Sequence, residues 1–339
     1  MKKYALSTLL LAALAGGVST SAAAEECYPC APSICESNSY CNGRFIIGAD
    51  WLYWQSEQDN QPVANLTTVA TGTTITSDTK SINTIFKAQS GYRVTLGFET
   101  NNEGWEANAI YTYVPGKGHT KTTTPIAGQT ISTPFTIATG DTITSYTSKW
   151  KMNLNMLDLD VSRKLCCGNT FTIQPHVGFR ALYITDKLTA AMPLTLPTGL
   201  ADIATGQATG ILKEDFYGYG IEGGLWATWD FGCGISLVGH FGGSVLYSKF
   251  RVNSYSRDVH TFTTGLPSTT FSDTSSTTYR TGTPTVDYFA GLEYSNQLCG
   301  WEFDAHLGWE QHVFFNVNKL LNEGNLYTQG LVLGLDAKF

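Results

Sequence analysis

The sequence predicts an all-β fold, a transmembrane antiparallel outer-membrane β-barrel of about 10 strands, within a range of roughly 8 to 16. Three observations predict it. Apolar and polar residues alternate with a two-residue period in about ten segments. Short and long connections alternate between these segments, and the N-terminus carries an export signal. Strands of this kind are stable in a bilayer only when they close into a barrel with no free edge.

The N-terminal segment predicts export and sets the domain boundaries. Two lysines precede an apolar run, residues 6–18, which ends in small residues. This pattern is typical of a secretory signal peptide, assigned here to residues 1–24, and the run is too short for a spanning helix. We expect a cysteine-rich periplasmic segment over residues 25–43 and the barrel over residues 44–339.

The two-residue alternation is clearest in the last strand. From Gly330 to Phe339, one face carries leucines, Ala337 and the terminal phenylalanine, while the other carries glycines, a valine and two charged residues. The first strand, residues 44–55, places aromatic residues on one face and Asp50 on the other. Equivalent patterns predict further strands around residues 92–99, 105–113, 149–161, 171–183, 217–229, 235–247, 286–294 and 301–310.

The fourth predicted strand alternates in two phases. Its first half places Trp150 and Met152 on the apolar face, and its second half places Leu157 and Leu159 on the opposite one. We expect a β-bulge near Met156 to reconcile the two halves.

The connections give an independent signal. Four short ones alternate with long segments rich in threonine, serine and glycine, as expected for periplasmic turns and external loops. A soluble β-sandwich, the alternative all-β fold, predicts no such asymmetry. The short connections are residues 101–104, 165–169, 231–234 and 296–300, and the long ones are residues 56–89, 115–147, 187–213 and 251–283.

The acidic net charge limits the classes of binding partner. The formal net charge is −7, and removal of the signal peptide with its two lysines makes it −9. An acidic chain without a basic stripe excludes nucleic acid as a partner. We expect outer-membrane lipid, small solutes and ions as partners, with no cofactor and no phosphate-binding glycine loop.

The polar faces of the predicted strands define the candidate lumen. Lipid-facing and lumen-facing residues alternate in a membrane barrel, so polar side chains opposite an apolar face line the interior. The predicted lining residues are Arg93, Glu99, Glu106, Lys149, Lys151, His176, Arg180, Glu222, His240, Asp287, Glu293, Glu302, Asp304 and His306.

All eight cysteines map to one end of the predicted barrel. An exported chain meets an oxidising compartment, so they are candidates for disulfides, although the sequence cannot choose among the possible pairings. The Cys-x-x-Cys at residues 27–30 leaves a zinc knuckle or a redox site as alternatives. The candidates are Cys27, Cys30, Cys35, Cys41, Cys166, Cys167, Cys233 and Cys299.

The sequence contains few other candidates for metal-binding or catalytic residues. His176, His240 and His306 lie on three predicted lumen faces and could converge on a metal, but solvated lumen histidines explain them without one. Two carboxylate pairs, Asp158 with Asp160 and Glu302 with Asp304, could mimic an acid/base couple, and a water-filled lumen explains them equally well. We expect no metal site and no enzymatic activity.

Several motifs resemble a known family. They are residues 48–54 (Gly-Ala-Asp-Trp-Leu-Tyr-Trp), Gly104-Trp105-Glu106, Gly300-Trp301-Glu302, and residues 308–312 (Gly-Trp-Glu-Gln-His). Together with the cysteine-bearing N-terminus, they resemble the major outer membrane proteins of Legionella and the MOMP-like porins of Chlamydia-related bacteria. The resemblance implies an abundant porin that also stiffens the envelope through disulfides. The chlamydial proteins use more strands than the ten counted here.

These observations predict a protein of the bacterial outer membrane. The first hypothesis is a porin that passes small hydrophilic solutes and ions passively and is cross-linked by disulfides to itself or to other cysteine-rich envelope proteins. The alternative is a plugged surface barrel that acts as an adhesin or structural protein.

Overall fold

The computed structural model describes residues 28–29, 43–59, 62–70, 76–100, 104–167, 170–195, 203–262, 268–298 and 300–339. The predicted signal peptide and most of the cysteine-rich segment lie outside these residues. In the part of the chain that is described, no helix is long and apolar enough to cross a membrane.

The chain folds into strands joined mainly by hairpins. Each barrel strand pairs antiparallel with its neighbours, and the pairing of β12 with β13 completes the ring. The strands are β1 (Tyr28–Pro29), β2 (Arg44–Gln58), β3 (Ala64–Ala70), β4 (Thr76–Ile82), β5 (Ile85–Lys87), β6 (Gln89–Glu99), β7 (Trp105–His119), β8 (Gln129–Ser132), β9 (Thr142–Ile143), β10 (Thr147–Arg163), β11 (Leu165–Cys167), β12 (Phe171–Thr195), β13 (Ile203–Gly232), β14 (Ile235–Phe262), β15 (Thr269–Leu298), β16 (Trp301–Asn318) and β17 (Gly324–Lys338).

The barrel is closed by ten strands, β2, β6, β7, β10 and β12 to β17, which confirms the predicted fold and strand number. The first and last of these strands pair from Ile46 opposite Lys338 to Gln58 opposite Leu326. Closure leaves no free edge within the bilayer, so every backbone donor and acceptor there has a partner in the ring.

A band of exposed apolar side chains surrounds the barrel. Ile221 is 71% exposed and Val177 is 66% exposed on the outward faces of neighbouring strands. Aromatic residues bound the band at both ends, with Phe45 and Trp105 near the short turns and Tyr217 at the other end. Such girdles lie at the two membrane interfaces. The outward phase therefore agrees with the two-residue pattern of the sequence.

Several strands continue far beyond the bilayer. A membrane strand needs only about 9–11 residues, whereas β13 and β15 have 30 residues each and β14 has 28. Most of the predicted long loops at residues 187–213 and 251–283 are therefore strand. Residues 269–282 have both faces in water and so show no hydrophobic alternation, although their β-branched side chains favour strands. In residues 187–212, by contrast, apolar side chains such as Leu188 and Leu212 are buried on the inward face.

Strand β10 corrects the predicted β-bulge near Met156. Its registers with β7 and β12 run without a shift from Lys149 to Ser162. The inward face carries buried Trp150, Met152 and Leu154 in the half of the barrel far from the short turns, here called the outer half. Asp158 lies on the same face, closer to the short turns. One phase therefore holds throughout, and the apparent change arises because the lumen itself is apolar in its outer half.

A small sheet covers the end of the barrel opposite the short turns. Strand β3 pairs with β4 on one side and β8 on the other. Val63, Ala64 and Ile131 are buried and belong to the same apolar cluster as the inward side chains of the barrel. We call β3, β4, β8 and residues 133–146 the cap.

Candidate functional site

The barrel interior is the candidate site, and it is organised in layers. The half of the lumen next to the short turns is polar and contains a cavity of about 390 Å³. A charged cluster crosses the middle, and apolar side chains fill the outer half beneath the cap.

Ion pairs line the rim of the barrel at the short turns. Arg44 donates to Glu99 and Glu302, both at 2.6 Å. Lys164 reaches Glu99 at 3.2 Å, and Lys338 reaches Asp304 at 2.7 Å. The three cations come from three different strands or turns, so the pairs clamp neighbouring strands at the rim.

Predicted lining residues surround the cavity above this rim. Arg93 donates to Glu310 at 2.7 Å and to Asp50 at 3.2 Å. His306 lies between Asp50 at 3.3 Å and Asp336 at 3.5 Å. The cavity lining includes seven predicted residues: Arg93, Glu106, His176, Glu293, Glu302, Asp304 and His306.

The middle layer is centred on Arg180. Its Nε lies 2.8 Å from Asp158 and 2.9 Å from Glu222, and its Nη1 lies 2.7 Å from Asp287. All four side chains are at least nine-tenths buried. Four strands thus supply one closely paired cluster across the lumen, and a buried charge of this kind persists only when it is paired.

The predicted histidines are brought together only in part. His176 and His240 stack at 5.1 Å between ring centroids, and Trp226 stacks on His240 at 4.4 Å. His306 instead contacts Phe289 edge to face at 6.2 Å. Within the described ranges, no group of three or more His, Cys, Asp or Glu side chains has a metal-binding arrangement.

Two predicted lining residues face the other way. Lys149 and Lys151 are exposed on the outward face of β10, while Trp150 and Met152 between and beside them point into the barrel. This corrects their assignment to the lumen. The physical reason is the apolar outer half of the interior, where hydrophobic side chains face inward and lysines face water above the bilayer.

The outer layer is a packed apolar core. Its largest members are 2% exposed or less and come from strands all around the ring. Trp150 contacts Phe86 edge to face at 5.0 Å, and Phe216 contacts Phe250 at 4.9 Å. The fully buried aromatic residues of this layer are Trp54, Trp150, Tyr146, Phe216, Phe250 and Phe314.

The cap is attached to the barrel by apolar and polar contacts. Phe135 packs so closely over Gly210 of β13 that a Cβ atom there would collide with its ring. Tyr146 donates its hydroxyl to the Val63 carbonyl at 2.9 Å. Burial raises the pKa of Tyr146 to about 12, so this hydroxyl remains a donor at physiological pH.

The outer strand extensions hold the other side of the cap. The Ala138 N–H donates to Asp258 at 2.6 Å, and His260 of β14 lies 2.8 Å from Asp141. Burial also raises the pKa of Asp258. These contacts could not be predicted from the sequence, because each joins residues more than a hundred positions apart.

We call the end of the barrel to which the eight cysteines map the cysteine rim. The structure describes only Cys166, Cys167 and Cys233 of these eight. Strand β1 pairs with β11, with Tyr28 opposite Cys166. Cys233 is an exposed free thiol in the turn between β13 and β14. Cys27, Cys30, Cys35, Cys41 and Cys299 lie outside the described residues.

The family described as Legionella pneumophila major outer membrane protein precursor matches residues 37–336. No curated protein matches the sequence. Among solved structures, the outer membrane protease OmpT from Escherichia coli is similar with a TM-score of 0.43 and 11% sequence identity, over 90% of this chain and 99% of that one.

Proposed function

We propose that this chain, which belongs to the family of the Legionella major outer membrane protein and is a barrel of the bacterial outer membrane, is a plugged surface barrel. Its role is structural, with the long extracellular hairpins presented to the surroundings and the cysteine rim facing the periplasm. The observation that carries this proposal is the packed apolar layer in the outer half of the lumen.

The apolar layer argues against free passage of solutes. Trp54, Phe216 and Phe314 are each 1% exposed, although all three point into the lumen. A hydrated solute on this path would have to displace a close-packed core, which costs far more than thermal energy. The cap adds a second apolar barrier above it.

Porin activity is the second candidate, favoured by the charged periplasmic cavity. Liposome swelling in arabinose tests both functions. We expect no swelling with the purified protein and measurable swelling after Trp150→Ala and Phe216→Ala are combined, because both side chains fill the outer lumen. Swelling with the unaltered protein at the rate of a general porin would reject the plugged barrel and support the porin.

We also propose that the cysteines of the rim other than Cys233 form disulfides. The pairing of β1 with β11 supports this, because Cys27 precedes β1 in the sequence and Cys167 follows the residue opposite Tyr28. Non-reducing and reducing gels of whole envelopes separate the two possible roles. Multimers that disappear on reduction would support cross-linking between chains, whereas an unchanged monomer would leave only bonds within one chain.

The proposed role involves no catalysis. Each of the two carboxylate pairs that could mimic an acid/base couple has at least one member bound to a cation, since Asp158 binds Arg180 at 2.8 Å and Asp304 binds Lys338 at 2.7 Å. Hydrolysis of a fluorogenic peptide library by purified barrel, at a rate above that of a heat-denatured sample, would overturn this part of the proposal.

A further inference from the structure

The outer half of β15 is exposed on every side. All residues from Thr269 to Gly282 are solvent-exposed on both faces of the strand. Along this stretch β15 pairs with β14 on one edge only. Its pairing with β16 begins at Thr285, opposite Phe314. Among the described residues, no strand pairs with the other edge of β15 from Thr269 to Gly282; we call it the free edge.

The backbone register shows which peptide groups point to the free edge. The Ser295 N–H donates to Gly234 at 2.8 Å, toward β14, and the β14–β15 register runs without a shift from there to Thr269. Peptide groups alternate in direction along a strand. Odd-numbered residues of β15 therefore bond to β14, and the even-numbered ones direct an N–H and a C=O outward: Thr270, Ser272, Thr274, Ser276, Thr278, Arg280 and Gly282.

The free edge lacks the usual protection. Natural edge strands are blocked by lysine, proline, a bulge or short length. Between Thr269 and Gly282 there is no lysine and no proline, and the stretch extends over roughly 45 Å. Pro284 falls on an outward position just where pairing with β16 begins. Proline at that position marks the end of the edge that another strand could join.

We propose that the free edge of β15 is a docking site for an extended polypeptide segment of another protein, which adds to the sheet as a further strand. The partner is identified by the edge itself, because alternating donors and acceptors at strand spacing are matched by another extended backbone. The edge carries one acidic and one basic residue, Asp273 and Arg280, so recognition depends little on charge. This proposal rests on the proposed surface role and gives it a partner class.

The test uses the purified full-length barrel and a synthetic peptide, Lys-(Thr-Val)5-Lys, N-methylated on each valine so that only one peptide edge can pair. We expect fluorescence anisotropy to show saturable binding that changes little between low and high salt. Thr274→Pro with Thr278→Pro removes two outward N–H groups and should weaken binding at least tenfold. The matched pair Thr274→Ala with Thr278→Ala keeps both N–H groups and should bind within about twofold of the unaltered protein.

Heat-modifiable migration on gels confirms that each variant remains a folded barrel. The same peptide methylated on every residue should not bind. Absence of binding by the unaltered protein up to about 1 mM peptide, or equal binding by the proline and alanine variants, would overturn the proposal. Edge-dependent dimers of the barrel, lost in the proline variant, would reject a foreign partner in favour of a second copy. Liposome swelling tests the plugged barrel separately, so the two proposals fail independently.

Discussion

Removal of the Arg180 guanidinium should destabilise the barrel strongly. In Arg180→Met, the carboxylates of Asp158, Glu222 and Asp287 lose a partner that lies within 2.9 Å of each. These side chains are at most 9% exposed, so water cannot replace the lost partner. Breaking a buried ion pair on one side costs about 3–5 kcal/mol. We therefore expect the midpoint of unfolding by guanidinium chloride, measured in detergent micelles, to be clearly lower for Arg180→Met than for the unaltered protein.

Two controls separate the charge cluster from simple loss of packing. Arg251→Met removes an arginine that is exposed on β14 and should leave the midpoint unchanged. Combining Arg180→Met with Asp158→Asn, Glu222→Gln and Asp287→Asn removes the unpaired charges and should restore most of the lost stability. An Arg180→Met midpoint equal to that of Arg251→Met would refute the reasoning, because the buried carboxylates would then need no partner.

Three further results are expected. Gly210→Val should push Phe135 out of its seat and make Lys121, next to the cap, more sensitive to trypsin in intact barrels, whereas unchanged cleavage would show that the cap does not depend on this contact. Cys233 should react with a maleimide in the non-reduced protein, as its exposed free thiol requires; a protected Cys233 would indicate a disulfide there. N-terminal sequencing of the mature protein should begin at Glu25, and a start at Met1 would exclude the predicted signal peptide.

The sequence predicted those strands whose two faces meet different surroundings. In β2, Phe45 and Trp51 face lipid and Asp50 faces the polar half of the lumen, so the alternation was visible. In the outer half of β10 the inward face is apolar, with Trp150 and Met152, and the outward face carries lysines in water, so the predicted phase is wrong at Lys149. The alternation is present there, but its apolar side faces the lumen and not lipid. Hydrophobic alternation reports a difference between two environments and is silent where both are apolar or both are wet.

The candidate site was predicted as a set of residues but not as an arrangement. Arg180 and Asp287 were both placed on lumen faces, yet nothing in the sequence indicated that they bind each other across the barrel. Arg44 and Lys164 were missed as rim residues because they lie at the ends of the alternating patterns. Contacts across the lumen depend on the register of all ten strands, which is fixed only when the ring closes.

The shape of the outer hairpin of β14 and β15 depends little on which side chains it carries. Its backbone ladder sets the shape, while the exposed side chains from Thr269 to Gly282 pack against little else. Substitutions at exposed positions of this kind usually change stability by less than about 0.5 kcal/mol. The chain can therefore alter the surface that antibodies meet at this hairpin without disturbing the barrel that carries it.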